Sequence, residues 1–169
     1  MPLELEKFLL TGQIEGIWCG MSREDVLNRF GEPPQKVIFD KCHGFFKEER
    51  FFYDALTFFF QNEAVSLYGL WMEDNERIPT FLEPTGYFPL GGKVPMADFL
   101  NYLKAENIPF RDRQSEESDM HRTFTKGEVA IGGYTHVLSL VVPCPGTERW
   151  RTIHGPQIRV GPPRPFPFR

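Results

Sequence analysis

The 169-residue chain predicts an α+β fold, an antiparallel sheet with its helices laid on one face. Three observations carry this. Two short amphipathic segments, at 22–30 and 94–107, carry helix start and stop signals. Runs rich in Phe and β-favouring residues, above all 56–60 and 64–72, read as strands. The order of elements after the first amphipathic helix also recurs after the second, so the sheet is expected to be built from two related helix-plus-β-ribbon halves.

Residues 2–10 read as a short helix, with Pro2 suited to a first turn, Leu5, Phe8 and Leu9 on one face, and Gly12 as the stop. Residues 14–19 read as a strand leading into the best-defined helix. There Ser22 caps the first turn and Asp25 reaches back to the Ser22 amide, while Met21 and Val26 stand where a hydrophobic staple places them. Glu24 and Asp25 suit the positive end of the helix dipole, and Val26, Leu27 and Phe30 make the apolar face. Gly31 supplies the left-handed stop, and Pro33-Pro34 prevent resumption.

Strands follow at 36–40, 50–53, 56–60 and 64–72, with 41–49 expected as a loop or irregular ribbon and Gln61-Asn62-Glu63 as a hairpin turn. On the 64–72 strand, alternation places Val65, Leu67, Gly69 and Trp71 on one face and Ser66, Tyr68 and Leu70 on the other. The second helix buries Phe99, Leu100 and Leu103 and stops at Asn107 and Pro109. The charged stretch 111–122 has no period and reads as a loop or exposed ribbon. Segments 121–125 and 128–134 flank Lys126-Gly127 as a hairpin, and 137–142 is a buried strand. The organisation expected is one domain over 1–142, with halves 1–76 and 93–142 joined by a Pro/Gly-rich connector at 77–92. A Pro/Arg-rich tail follows at 143–169.

Seventeen Phe and three Trp allow a bulky core from few residues. The formal charge is −4, with residues 143–169 carrying five Arg and one Glu, so the body up to 142 carries −8. An acidic body argues against non-specific binding to nucleic acid or anionic membrane. Three cysteines, Cys19, Cys42 and Cys144, are an odd number at wide spacing. No disulfide framework follows from them, and a reducing, cytoplasmic address is expected. Neither an export signal nor a run long enough for a membrane span is apparent.

The two amphipathic helices align directly: Asp25-Val26-Leu27-Asn28-Arg29-Phe30 on Asp98-Phe99-Leu100-Asn101-Tyr102-Leu103, with Asp, Leu and Asn coincident. Three segments together, Leu5-Glu6-Lys7-Phe8-Leu9-Leu10-Thr11-Gly12, Gly20-Met21-Ser22-Arg23-Glu24-Asp25-Val26 through Gly31-Glu32-Pro33, and Leu56-Thr57-Phe58-Phe59-Phe60, resemble a group of bacterial proteins. Some of its members are regarded as toxin-neutralising immunity proteins. The capped helix also resembles the small lipoprotein subunit of the outer-membrane β-barrel assembly machinery, over about fifteen residues that mostly report a cap. The lipoprotein signal and lipidated Cys of that subunit are missing here, so membrane anchoring does not transfer. Neither resemblance implies a catalytic motif.

Candidate chemistry is sparse. Cys42-His43 is the most reactive-looking pair, but neighbours on a strand point to opposite faces, whereas a nucleophile needs its base within hydrogen-bond reach. Cys19, Cys42, Cys144, His43, His121, His136 and His154 show none of the spacings that make a local metal site. Gly91-Gly92-Lys93 lacks the remaining phosphate-loop positions, and Gly132-Gly133-Tyr134 reads as a bulge or strand end. Trp18 and Trp71 are expected in the core.

No catalytic, cofactor or metal residues are therefore assigned. The partner-binding candidates are two acidic runs, Glu73, Asp74 and Glu76 in the first half and Glu116, Glu117 and Asp119 in the second. Such loops steer a basic partner such as a toxin. The function expected is a non-enzymatic protein-binding module of the immunity kind. The alternative is a small-molecule-binding protein or enzyme with a pocket between sheet and C-terminal tail.

Overall fold

The structure is a computed structural model and describes residues 2–42, 46–71, 83–85, 94–114 and 121–147. Its centre is one eight-stranded, wholly antiparallel sheet, with three helices and a small two-stranded pair beside it. In chain order the elements are β1 (Pro2–Glu4), α1 (Leu5–Thr11), α2 (Arg23–Phe30), β2 (Gln35–Cys42), β3 (Phe46–Tyr53), β4 (Leu56–Gln61) and β5 (Ala64–Trp71). Then come β6 (Glu83–Thr85), α3 (Met96–Ala105), β7 (Phe110–Gln114), β8 (His121–Thr125), β9 (Ala130–Gly133) and β10 (Val137–Pro143). Across the large sheet the order is β2-β3-β4-β5-β10-β9-β8-β7. The meander β2 to β5 thus meets the meander β7 to β10 along a β5–β10 seam that pairs Leu70 with Leu140 and Tyr68 with Val142.

The seam runs through Gly69. Its φ is 152°, and a β-carbon there would lie 2.6 Å from the Val141 Cα and closer still to the Leu140 carbonyl oxygen. Only glycine permits this approach.

α2 forms as its sequence demands. The Asp25 amide donates to Ser22 Oγ at 3.1 Å, and the Ser22 amide donates to Asp25 Oδ2 at 2.9 Å, completing the capping box. The Ser22 hydroxyl, which donates to Asp25 Oδ2 at 2.7 Å, and then the Ser22 amide hold the Asp25 carboxyl below its usual range. Gly31 takes φ 77° and its amide closes on the Leu27 carbonyl at 2.7 Å. In the β4–β5 hairpin, Asn62 and Glu63 both adopt positive φ, 52° and 63°, the geometry of a primed turn without glycine.

Four expectations from the sequence fail, in whole or in part, for local reasons. Residues 2–4 leave the first helix and pair in parallel with β6. Residues 14–19 make no strand: Glu15 and Gly16 both take positive φ, so Ile14 and Ile17 close a tight bridge and are both buried. The described parts of the charged stretch 111–122 form the ribbon of β7 with the start of β8, but not a wholly exposed one: Arg111 is buried, its charge met by Glu128. The faces of β5 are shifted, because a bulge opposite Phe59 and Phe60 moves Val65 onto the same side as Tyr68 and Leu70. The irregular-ribbon reading of 41–49 holds for its described parts: β2 runs to Cys42 and β3 begins at Phe46, with a register shift between Phe39 and Cys42.

One large core cluster takes Leu5, Phe8 and Leu9 of α1, Val26 of α2, and Met96, Phe99 and Leu103 of α3. The same cluster takes Phe51, Phe58, Phe60, Tyr68, Leu70, Ile131 and Leu140 of the sheet. Its aromatic contacts include Phe51 on Phe60 at 4.7 Å and Phe30 on Phe58 at 5.4 Å between ring centres. α1 is tied to both meanders. The Gly127 amide and the Thr125 hydroxyl donate to the Leu9 carbonyl, and the Tyr68 hydroxyl donates to the Gly12 carbonyl.

Three buried tyrosines anchor loops and helices to this layer. Tyr53 donates to the Gly31 carbonyl at 2.7 Å, Tyr68 to Gly12, and Tyr102 to Glu6 Oε1 at 2.6 Å. Burial pushes the Tyr53 phenol up to about 12, with the Glu32 charge adding to it. Burial raises Tyr68, and burial followed by the Glu6 hydrogen bond and the Glu6 and Glu106 charges raises Tyr102. A phenol raised on folding stabilises the fold fully below its ordinary value of 10.0, and that contribution is lost as pH climbs past it. Alkaline titration followed by phenolate absorbance and circular dichroism should therefore show three of the five tyrosines staying protonated above pH 10 for as long as the fold persists, with Tyr53 ionising at about 12. Smooth ionisation of all five near pH 10 in a folded protein would contradict the packing.

Candidate functional site

The side of the sheet opposite the large core carries a second, smaller cluster: Phe59, Leu67, Phe124, Ala130 and Val141, with Trp71 packed against it. Charged side chains are built into this face. Arg50 lies over the rings of Phe39 and Phe59, 4.2 and 4.7 Å from their centres, and its Nε donates to Glu48 Oε1 at 2.7 Å. Glu48 is fully buried. Arg111 lies 5.2 Å from the ring centre of Phe124 and grips Glu128 through two bonds of 2.7 and 2.6 Å. A buried carboxylate or guanidinium costs several kcal/mol unless it is paired and hydrogen-bonded. The planar guanidinium meets that demand twice over, stacking on a ring while its edge holds the carboxylate. Sequence reading missed these residues. The available signal was Glu48 and Arg50 two apart on a strand, which places them on one side of it.

The acidic candidates Glu73, Asp74, Glu76, Glu116, Glu117 and Asp119 all lie outside the described residues. The strands that lead to them are described. β5 ends at Trp71, β7 ends at Gln114 and β8 begins at His121; the register Trp71↔Ser139, Gly133↔Val137 and His121↔Gly133 places all three at the same end of the sheet. Between β5 and β8 stand β10 and β9, so the two points of departure are three strand spacings, roughly 14 Å, apart.

For Cys42 the structure describes the backbone, paired with Phe46 in the β2–β3 ribbon; His43 and His154 lie outside the described residues, as do Gly91, Gly92 and Lys93. His136 Nδ1 stands 3.0 Å from Thr135 Oγ1. Among the described residues no three His, Cys, Asp or Glu side chains converge as metal ligands. Nor is any described helix long and apolar enough to cross a membrane. The Gly132-Gly133 pair closes β9, opposite a register shift in β10.

Two expectations are corrected here. Trp18 is not in the core but 51% exposed, whereas Trp71 does pack on the second cluster. Cys19 and Cys144 form a disulfide with Cα atoms 5.2 Å apart, despite a sequence separation of 125. The start of β5 brings them together. The Gly20 amide donates to the Val65 carbonyl at 3.2 Å, the Val65 amide to Met21 at 2.8 Å, and the Cys144 amide to Ser66 at 2.9 Å. Sequence spacing could not reveal a pair made by two chains docking on one strand.

The chain was compared with protein-family models, curated proteins and solved structures, and it matches none of them.

Closing so long a loop restricts the unfolded chain strongly. Reduction, or Cys19→Ser, should lower unfolding free energy by about 2–4 kcal/mol in denaturant titrations without changing the far-ultraviolet dichroism of the folded state. Equal stability of the oxidised and reduced forms would show that the bridge restrains nothing.

Proposed function

We infer that the protein is a non-enzymatic binding module of the toxin-neutralising immunity kind, which meets a basic partner with Glu73, Asp74 and Glu76 on one side and Glu116, Glu117 and Asp119 on the other. The observation that supports this is the shared end of the sheet from which both runs depart, roughly 14 Å apart, well within the footprint of one protein interface. The charge of −8 over residues 1–142 supplies a long-range field of the sign such a partner requires. The charged groups of the opposite face, Glu48, Arg50, Arg111 and Glu128, are held by each other and by rings, which suits a scaffold better than a reaction centre.

The same reading takes the architecture as two related halves with their helices on one face. α2 followed by β2–β5 and α3 followed by β7–β10 have the same order, the meanders meet at β5–β10, and the buried residues of both helices share one cluster; these features support it. A cytoplasmic address, expected from the cysteine count, sits poorly with the Cys19–Cys144 bridge, and an oxidising compartment suits it better.

The test is affinity capture from the source organism using the wild-type chain and two triple charge reversals, one per acidic run. A basic protein retained by the wild type should be lost from both variants. Its association rate should fall at least tenfold with either reversal and fall again with added salt. Recovery of the same partner at the same rate by all three proteins would remove the acidic runs from the interface.

A further inference from the structure

The sheet has two edges, and they differ. β7 is five residues long and buries Arg111. β2 is eight residues long, and among the described residues no strand pairs with its outer side. Ile38 is 59% and Phe39 37% exposed, and Lys36, Asp40 and Lys41 are exposed as well. A long open edge with apolar side chains is a template for another strand.

The order of residues along this edge selects the strand. A continuous antiparallel sheet requires a two-fold axis centred on a residue, so that like faces meet. Centred on Val37, such a pairing sets Lys36 against Ile38 and Gln35 against Phe39. Centred on Phe39, it sets Asp40 against Ile38 and Lys41 against Val37. Centred on Ile38, it sets Lys36 against Asp40, Val37 against Phe39 and Ile38 against its own copy. Of the three, only this last register matches charge with opposite charge and apolar with apolar, and symmetry makes each match but the central one twice. Strand β2 shifts register against β3 after Phe39, so Asp40 stands at the end of its regular part.

We propose that the β2 edge is a docking surface for a second copy of this chain, joined antiparallel about Ile38 to give one sixteen-stranded sheet. Lys36 already contacts Glu32 at 2.6 Å, and its ammonium has donors left for the Asp40 of the second copy. Asp40 is exposed and has no hydrogen bond or ion pair among the described residues. On the opposite face Phe39 is held by the Arg50 guanidinium above it, which presents the ring ready-placed to Val37 of the second copy.

The experiment is sedimentation velocity on the full chain from micromolar to millimolar concentration, with Lys36→Asp, Asp40→Lys and their equimolar mixture. The wild type should dimerise. Each single change puts like charges opposite each other at both pairs and should weaken association at least tenfold. Mixing the two variants restores opposite charge at both pairs and should return wild-type association as a heterodimer. Circular dichroism checks the fold; Asp40→Lys breaks no hydrogen bond or ion pair among the described residues and carries the test alone should Lys36→Asp unfold. A wild type monomeric throughout, single variants that associate as the wild type does, or a mixture no better than its components would each overturn the proposal.

Discussion

The structure depends on the pairing of β5 with β10. Within the large sheet every other neighbouring pair is also consecutive among the strands of its own meander, so each needs only a local turn or connection. The seam alone joins strands from distant parts of the chain, and it can close only because Gly69 has no side chain. Two further links stand beside it: the Cys144 amide bonds the Ser66 carbonyl, and the Cys144 sulfur is bonded to Cys19. A gap at the seam would leave two four-stranded sheets, each with an extra raw edge and an incomplete cover for Tyr68 and Leu70.

The two faces of the sheet solve burial differently. Toward the helices the solution is hydrocarbon and rings, with tyrosine hydroxyls spent on backbone carbonyls. On the other face, aromatic residues are mixed with Arg50, Glu48 and Arg111. Ion pairs of this kind add little net stability compared with a purely apolar filling, yet breaking one leaves a stranded charge, so they reject alternative registers more firmly than they strengthen the native one.

Much of the fold was legible in the sequence because its signals are local. The capping box of α2, the Gly31 stop and the β4–β5 turn each depend on residues within a few positions. What stayed hidden depends on distance. A one-residue bulge reversed the reading of Val65, and the ion pair to Glu128 accompanies burial of Arg111 where an exposed ribbon or loop was expected. Cys19 and Cys144 look unrelated until two segments dock on β5. The acidic runs were visible as composition, but that β5, β7 and β8 have their adjoining ends on one side of the sheet follows from strand order and register, which local patterns do not contain. The self-matching order of β2 was present in the sequence, but it acquires meaning only once that strand is placed outermost among the described strands.

The anchorage of α1 has a consequence for synthesis. The carbonyl of Leu9 finds its donors in Thr125 and Gly127, and that of Gly12 in Tyr68. These groups leave the ribosome long after the helix does, at ordinary elongation rates on the order of ten seconds later. A seven-residue helix holds no stable shape alone. The nascent chain therefore carries Leu5, Phe8 and Leu9 uncovered through most of its translation, and the first helix in the chain is among the last parts to become native.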